Sequence, residues 1–215
     1  MSKRLLIIGN GFDIDLGLKT RYSDFANSKI WEELMQSHSS HDQDLLGALR
    51  KAKETEAWFD IEKTMNLYAR SIRPEFLCKE IADKDKKGFE DVSMALLKYL
   101  KEEQENRSLN INCFAAKVLT LIADISDFSY YTFNYTSLEG IANSCGIQID
   151  NSKVTHVHGA LENDSIILGV LTDPANQFYE QYSFMYKDNS RFYSSNNMYE
   201  DFEKADDIIF FVHSI

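Results

Sequence analysis

Proline is almost absent: Pro74 and Pro174 are the only two in 215 residues. No stretch repeats itself or is low in complexity, so Pro-rich linkers and fibrous repeats are excluded. Cysteine is nearly as scarce. Cys78, Cys113 and Cys145 are odd in number and lack Cys-x-x-Cys spacing, which speaks against both a disulfide framework and a zinc ribbon. Positive charge is short as well, with 23 Lys and Arg against 34 Asp and Glu and a net charge of −11. A phosphate-backbone binder needs a basic surface, so nucleic acid is not an expected partner. No apolar run approaches membrane-spanning length, and the chain opens on a strand pattern rather than a signal peptide. The expected location is therefore cytoplasmic, with no membrane partner. What remains is ordinary: hydrophobic content of 44% and charged content of 27% suit a folded protein large enough for one domain or a domain plus a cap.

The most informative stretch is the first. Leu5-Leu6-Ile7-Ile8 is apolar without alternation, as in a central strand buried on both faces. It breaks at Gly9-Asn10-Gly11, followed by Phe12-Asp13 and a helical pattern carrying Ile14, Leu16 and Leu18. A strand, a Gly-x-Gly turn and a helix start bring backbone N–H groups and the positive end of a helix dipole together, where phosphate binds readily. Ile14 stands where the third glycine of a dinucleotide fingerprint would fall. Taken alone, the turn is equally a nucleotide site or a tight entry into a core helix.

A loop over residues 20–25 is expected to cap a helix whose apolar face carries Ile30, Leu34 and Met35. Residues 37–44 read as a polar loop, with His38 and His41 solvated for want of a third metal ligand. Residues 57–70 read as a helix, with Trp58, Ile61, Met65 and Tyr68 at three- and four-residue steps. Asp60 and Glu62 fall inside it on different sides, Glu62 on a solvated face. Residues 83–87 read as a charged loop, and residues 89–105 and 111–124 as helices.

Strand signals return afterwards. Residues 129–133 are β-branched and aromatic, ending at Asn134 before a helix over 138–145. Residues 153–158 form a second expected strand, running into Gly159. Residues 166–169 form a third and residues 207–212 a fourth. Residues 178–186, rich in Phe and Tyr, read as a packing surface, and residues 193–203 as a polar stretch entering a helix. Strands spaced by helices imply an α/β fold with a Rossmann-like, mostly parallel sheet flanked by helices. The helices between the first and second strands form an insertion over about residues 26–125. Ligands bind such sheets at the carboxyl ends of the strands. Gly9-Asn10-Gly11, Asn134, His158 and His213-Ser214 all fall there.

Five ordered blocks carry a family resemblance: Gly9-Asn10-Gly11-Phe12-Asp13 with residues 17–25, Trp58-Phe59-Asp60-Ile61-Glu62, Thr132-Phe133-Asn134-Tyr135-Thr136, His156-Val157-His158-Gly159, and His213-Ser214. Together they resemble the AbiH family of bacterial abortive-infection (phage-resistance) proteins, across nearly the whole chain. AbiH proteins are in turn similar to sirtuin-like NAD-binding domains. The resemblance implies a single sirtuin-like α/β domain over 1–215, phage defence as the role, and NAD or a related nucleotide as cofactor or substrate. It implies Asn134 and His158 as the catalytic pair. Gly9, Asn10, Gly11, Phe12, Asp13, Thr20, Tyr22, Gly159, His213 and Ser214 would bind the cofactor, with no metal. A phage-derived trigger and a homo-oligomer are the further partners it implies. The four-cysteine zinc module of sirtuin deacetylases cannot be built from this chain, which leaves sirtuin-like NAD hydrolases as the nearer analogy. Val212 stands where AbiH members usually carry glycine before His-Ser, and the family continues beyond that point, so the C-terminus is expected to be truncated or naturally short.

The chemistry can be stated without the family. Cleaving the N-glycosidic bond of NAD passes through an oxocarbenium-like transition state. An Asn side chain can hold a ribose hydroxyl or a water through its donor and acceptor ends. A His can take a proton near neutral pH. Asn134 is thus expected to orient and His158 to act as base. Against this stand plainer readings: Asn134 as a helix N-cap and His158 as a structural histidine. Three functions remain open on sequence: an NAD-consuming defence enzyme (an NADase), a nucleotide-binding sensor or interaction module that hydrolyses nothing, and a nuclease-type effector using clustered carboxylates.

Overall fold

The apolar run after Lys3 forms β1 (Arg4–Ile8), and Gly9 leads it into α1 (Asn10–Asp15). This computed structural model describes residues 3–38, 43–123, 125, 127–174 and 177–212. Six helices follow: α2 (Tyr22–Ala26), α3 (Lys29–Ser37), α4 (Leu45–Thr55), α5 (Ile61–Ser71), α6 (Lys79–Asn106) and α7 (Phe114–Ala123). The chain then alternates β2 (Phe128–Thr132), α8 (Leu138–Ser144), β3 (Val154–His156), α9 (Met198–Lys204) and β4 (Asp207–Phe211). The four strands form one sheet in the order β3-β2-β1-β4. Every pairing is parallel, with Ile8 opposite both Thr132 and Phe211, and Thr132 opposite His156.

The unalternating run of β1 is explained by what covers each face. Leu6 and Ile8, with Phe128 and Tyr130 of β2, pack on Phe12 and on residues of α7 and α8 such as Leu119 and Ile141. Leu5, Ile7 and Tyr131 point the other way, against Met198 and Phe202 of α9. Successive side chains of a strand face opposite sides, so a strand roofed on both must be apolar throughout. Each such Leu or Ile, fully buried, is worth roughly 1.5–3 kcal/mol.

The chain divides into two compact units. The first comprises residues 1–20, 100–166 and 194–215 and holds the sheet with α1, α7, α8 and α9. The second comprises residues 21–99 and 167–193 and is mainly helical. Its centre is aromatic: Phe25 and Trp31 meet edge to face at 5.3 Å, and Trp31 and Phe59 at 5.5 Å. Ser28, Asp44 and Asp60 cap α3, α4 and α5, each side chain accepting from the N–H three residues on. Such caps satisfy donors that have no partner inside the helix. Two buried polar clusters complete this unit. Asp85 accepts from the Leu45 N–H (2.9 Å) and from the hydroxyls of Tyr68 (2.7 Å) and Tyr182 (2.8 Å). Lys187, only 5% exposed, pairs with Glu62 at 3.0 Å.

Several sequence expectations are corrected. Residues 83–87 lie inside α6 rather than in a loop; Ala82, Asp85 and Gly88 are buried at three-residue steps while the charges between them are exposed. Part of the 20–25 stretch is the short helix α2. Asp60 caps α5 instead of lying within it. Glu62 is held by Lys187 and the Gly169 N–H rather than facing solvent alone. His38 is also engaged, its Nε2 lying 2.9 Å from Asp91; His41 lies outside the described residues. Residues 166–169 form no strand, only one isolated bridge between Val170 and Tyr186 close by. Tyr182, Met185 and Tyr186 of the aromatic stretch are buried, as a packing surface requires.

Candidate functional site

Parallel pairing fixes what lies at the carboxyl edge of the sheet. Ile8, Thr132 and His156 sit at one level on neighbouring strands. The ladder continues one step further, since the Gly9 N–H donates to the Phe211 carbonyl (2.9 Å), Phe133 to Ile8 (2.9 Å) and Val157 to Thr132 (2.9 Å). Beyond those bonds the strands release Gly9-Asn10-Gly11, Asn134 and His158 at the same end, on strands about 4.8 Å apart. All belong to the first unit.

The glycine turn is tighter than its sequence suggests. Gly9 is the N-cap of α1 in an extended conformation, and Asn10 is already helical. The Phe12 N–H donates to the Gly9 carbonyl at 2.9 Å. The Asn10 and Gly11 N–H groups occupy first-turn positions, which have no acceptor inside a helix. Phe12 itself is fully buried, edge-on to Phe211 at 5.3 Å, so its ring belongs to the core. The Thr20 hydroxyl donates to the Asn10 side-chain oxygen, and the Asn10 amide reaches the Thr20 carbonyl at 3.4 Å. Tyr22 begins α2 in the second unit.

Asp13 is 1% exposed and Asn134 is 7% exposed. Asn134 Nδ2 donates to Asp13 Oδ1 (2.8 Å) and to the Gly9 carbonyl (3.1 Å). Thr136 donates to Asp13 Oδ2 at 2.9 Å. Burial pushes the Asp13 carboxyl up to about 7, against the pull of those two hydrogen bonds. The Asn134 N–H donates to the Thr132 hydroxyl oxygen (3.1 Å). Ser137, not Asn134, caps α8, so the plainer reading of Asn134 as an N-cap fails.

His158 is half-buried, its ring edge-to-face with Phe133 at 5.4 Å. His156 Nδ1 donates to the Asn134 carbonyl at 3.3 Å, which fixes its tautomer and leaves it a scaffold role. The turn after His158 depends on glycine. Gly159 has φ of +83°, and an added Cβ would lie 1.5 Å from the Ser165 carbonyl oxygen. His213 and Ser214 lie outside the described residues.

Sequence reasoning placed Thr132 and Thr136 in the block around Asn134 but gave them no site role; they brace the Asn134–Asp13 pair. Among the described residues, no group of three His, Cys, Asp or Glu is arranged to hold a metal ion, and no helix is long and apolar enough to cross a membrane.

A parallel sheet layered by helices, with its polar side chains gathered where the strands end, is a Rossmann-like α/β architecture. Residues 5–215 match the family model of the bacteriophage abortive infection protein AbiH, and the chain belongs to that family. Its role is accordingly in abortive infection of phage-infected cells. No curated protein and no solved structure matches the chain.

Proposed function

We propose that the carboxyl edge of the sheet binds NAD and hydrolyses it to nicotinamide and ADP-ribose, as the effector step of abortive infection. One observation carries the reading: Gly9-Asn10-Gly11, Asn134 and His158 leave adjacent parallel strands at one level. Such an edge, followed by a helix start, is where dinucleotides bind in this architecture. A carboxylate beside the turn would oppose phosphate, but Asp13 is buried with both oxygens occupied by Asn134 and Thr136. It therefore does not present a carboxylate to the turn.

In this reading the Asn10 and Gly11 N–H groups hold the pyrophosphate, and Asn134 fixes the nicotinamide ribose or the attacking water. Water attacks the ribose C1′, the C–N bond breaks, and its electron pair leaves with nicotinamide. His158 takes the proton from the water. Thr20 and Gly159 shape the loops beside the cofactor. A binding-only sensor is the second reading. It draws on the commitment of both Asn134 amide hydrogens to the protein, which leaves the side-chain oxygen to hold a ligand hydroxyl with no hydrolysis required.

The deciding experiment measures NAD loss and nicotinamide release by the purified chain, with NAD binding followed in parallel. A positioned general base contributes roughly 10²–10⁴ in rate, so His158→Ala lowers turnover by about that factor, and Asn134→Ala lowers both binding and turnover. Binding without turnover, in phage lysate as well as buffer, replaces the hydrolase by the sensor. Neither binding nor turnover refutes both.

A further inference from the structure

The Asn134 amide has one orientation that its surroundings permit. Its Nδ2 faces the Gly9 carbonyl and Asp13 Oδ1, at 3.1 and 2.8 Å. A backbone carbonyl only accepts, so the nitrogen and not the oxygen must face it. An NH₂ group has two hydrogens, and these two acceptors use both.

We propose that Asp13 is a positioning residue for Asn134: together with the Gly9 carbonyl it takes both amide hydrogens, so Asn134 offers a ligand only its side-chain oxygen. The group that Asn134 touches must then be a hydrogen-bond donor, a hydroxyl or a water, and never a phosphate or carbonyl oxygen. The bond set belongs to the protein by itself; its effect on ligand binding rests on the NAD reading above.

Two features make Asp13 a holder rather than a ligand contact. Its side chain is closed off from solvent, and its second oxygen is taken by Thr136. The arrangement also survives protonation. A protonated Asp13 can donate to the Thr136 hydroxyl, which reverses its own role, while Oδ1 continues to accept from Asn134. An amide in place of the carboxyl can do the same, its oxygen toward Asn134 and its nitrogen toward Thr136. Asp13→Asn is therefore the conservative variant, and Asp13→Leu, similar in volume but without an acceptor, the disruptive one.

The test reads the Asn134 side-chain NH₂ resonances in ¹⁵N-labelled full chain, assigned by their loss in Asn134→Ser, with NAD binding measured by calorimetry. Both amide protons are expected to exchange with solvent at least tenfold more slowly than those of exposed asparagines. Asp13→Asn keeps that protection and binds NAD within about threefold of the unmodified chain. Asp13→Leu, with the backbone spectrum still folded, loses protection tenfold or more and weakens NAD binding to match. Fast exchange in the unmodified chain overturns the proposal without any variant, which covers the case in which Asp13→Leu fails to fold. Unchanged protection in a folded Asp13→Leu overturns it too. If protection behaves as expected but NAD does not bind, the positioning role stands and the NAD reading falls.

Discussion

Replacing Asp13 by asparagine should change how stability depends on pH, with a sign that separates burial from hydrogen bonding. In the folded chain burial raises the carboxyl from an ordinary 3.8 to about 7. The folded state thus holds its proton more tightly than the unfolded chain. Stability from this group is fully present below about pH 4 and is lost as pH rises to about 7. Between pH 5 and pH 8 the loss is about 2.5 kcal/mol, at 1.36 kcal/mol per unit of differential protonation. Asp13→Asn keeps the shape and the bonds to Asn134 and Thr136 but carries no proton to lose. Asp85 and Glu62 are also raised by burial, but both chains share them, so they cancel in the comparison. Urea unfolding at the two pH values, for both chains, gives the double difference directly. The unmodified chain should lose about 2.5 kcal/mol more than Asp13→Asn on going from pH 5 to pH 8. A double difference under about 1 kcal/mol would remove the argument that burial dominates here. No double difference between pH 5 and pH 8, together with a greater loss by the unmodified chain as pH falls from 5 to 2, would mean that the bonds from Asn134 and Thr136 outweigh burial and hold the carboxylate ionised.

Other outcomes follow from single contacts. Gly159→Ala forces a side chain into a φ of +83° and against the Ser165 carbonyl; strain of that kind exceeds about 2 kcal/mol, and a sharp fall in thermal midpoint is expected beside His158. Glu62→Ala removes the carboxylate that pairs with the buried Lys187 ammonium and should cost about 3 kcal/mol, whereas the double change Glu62→Gln with Lys187→Met should recover most of it; equal losses from the two would show that the pair carries no such penalty. Tyr182→Phe removes one of the bonds to the buried Asp85, and an unfolding free energy lower by about 1–2 kcal/mol checks it.

The sheet was largely legible because its strands announce themselves locally. Residues 5–8 and 208–212 are apolar or aromatic runs, and Asn134 and His158 fall two residues beyond the ends of β2 and β3. What was hidden was hidden for physical reasons. Residues 166–168 are apolar because they are buried, and burial alone does not distinguish a packed loop from a strand. Residues 83–87 concealed a helix because the buried member of its three-residue period is Asp85, a charged residue whose partners Tyr68 and Tyr182 are far away in sequence. The helix α4 went unread although Asp44 caps it and Leu45, Leu49 and Ala52 form its buried stripe. Within the candidate site the positions were visible but the bonding was not. Asn134 and Asp13 are 121 residues apart, and no local pattern reports such a pair.

The place of β1 between β2 and β4 has a bearing on synthesis. Arg4 pairs in register with Asp207, 203 residues later, and with Phe128 on its other side. β1 therefore waits for 203 further residues before both of its edges are filled. At roughly 5–20 residues per second that wait lasts about 10–40 s. During it, the most apolar strand of the protein offers unpaired backbone to whatever is near. A nascent chain of this design has reason to meet a holding chaperone early.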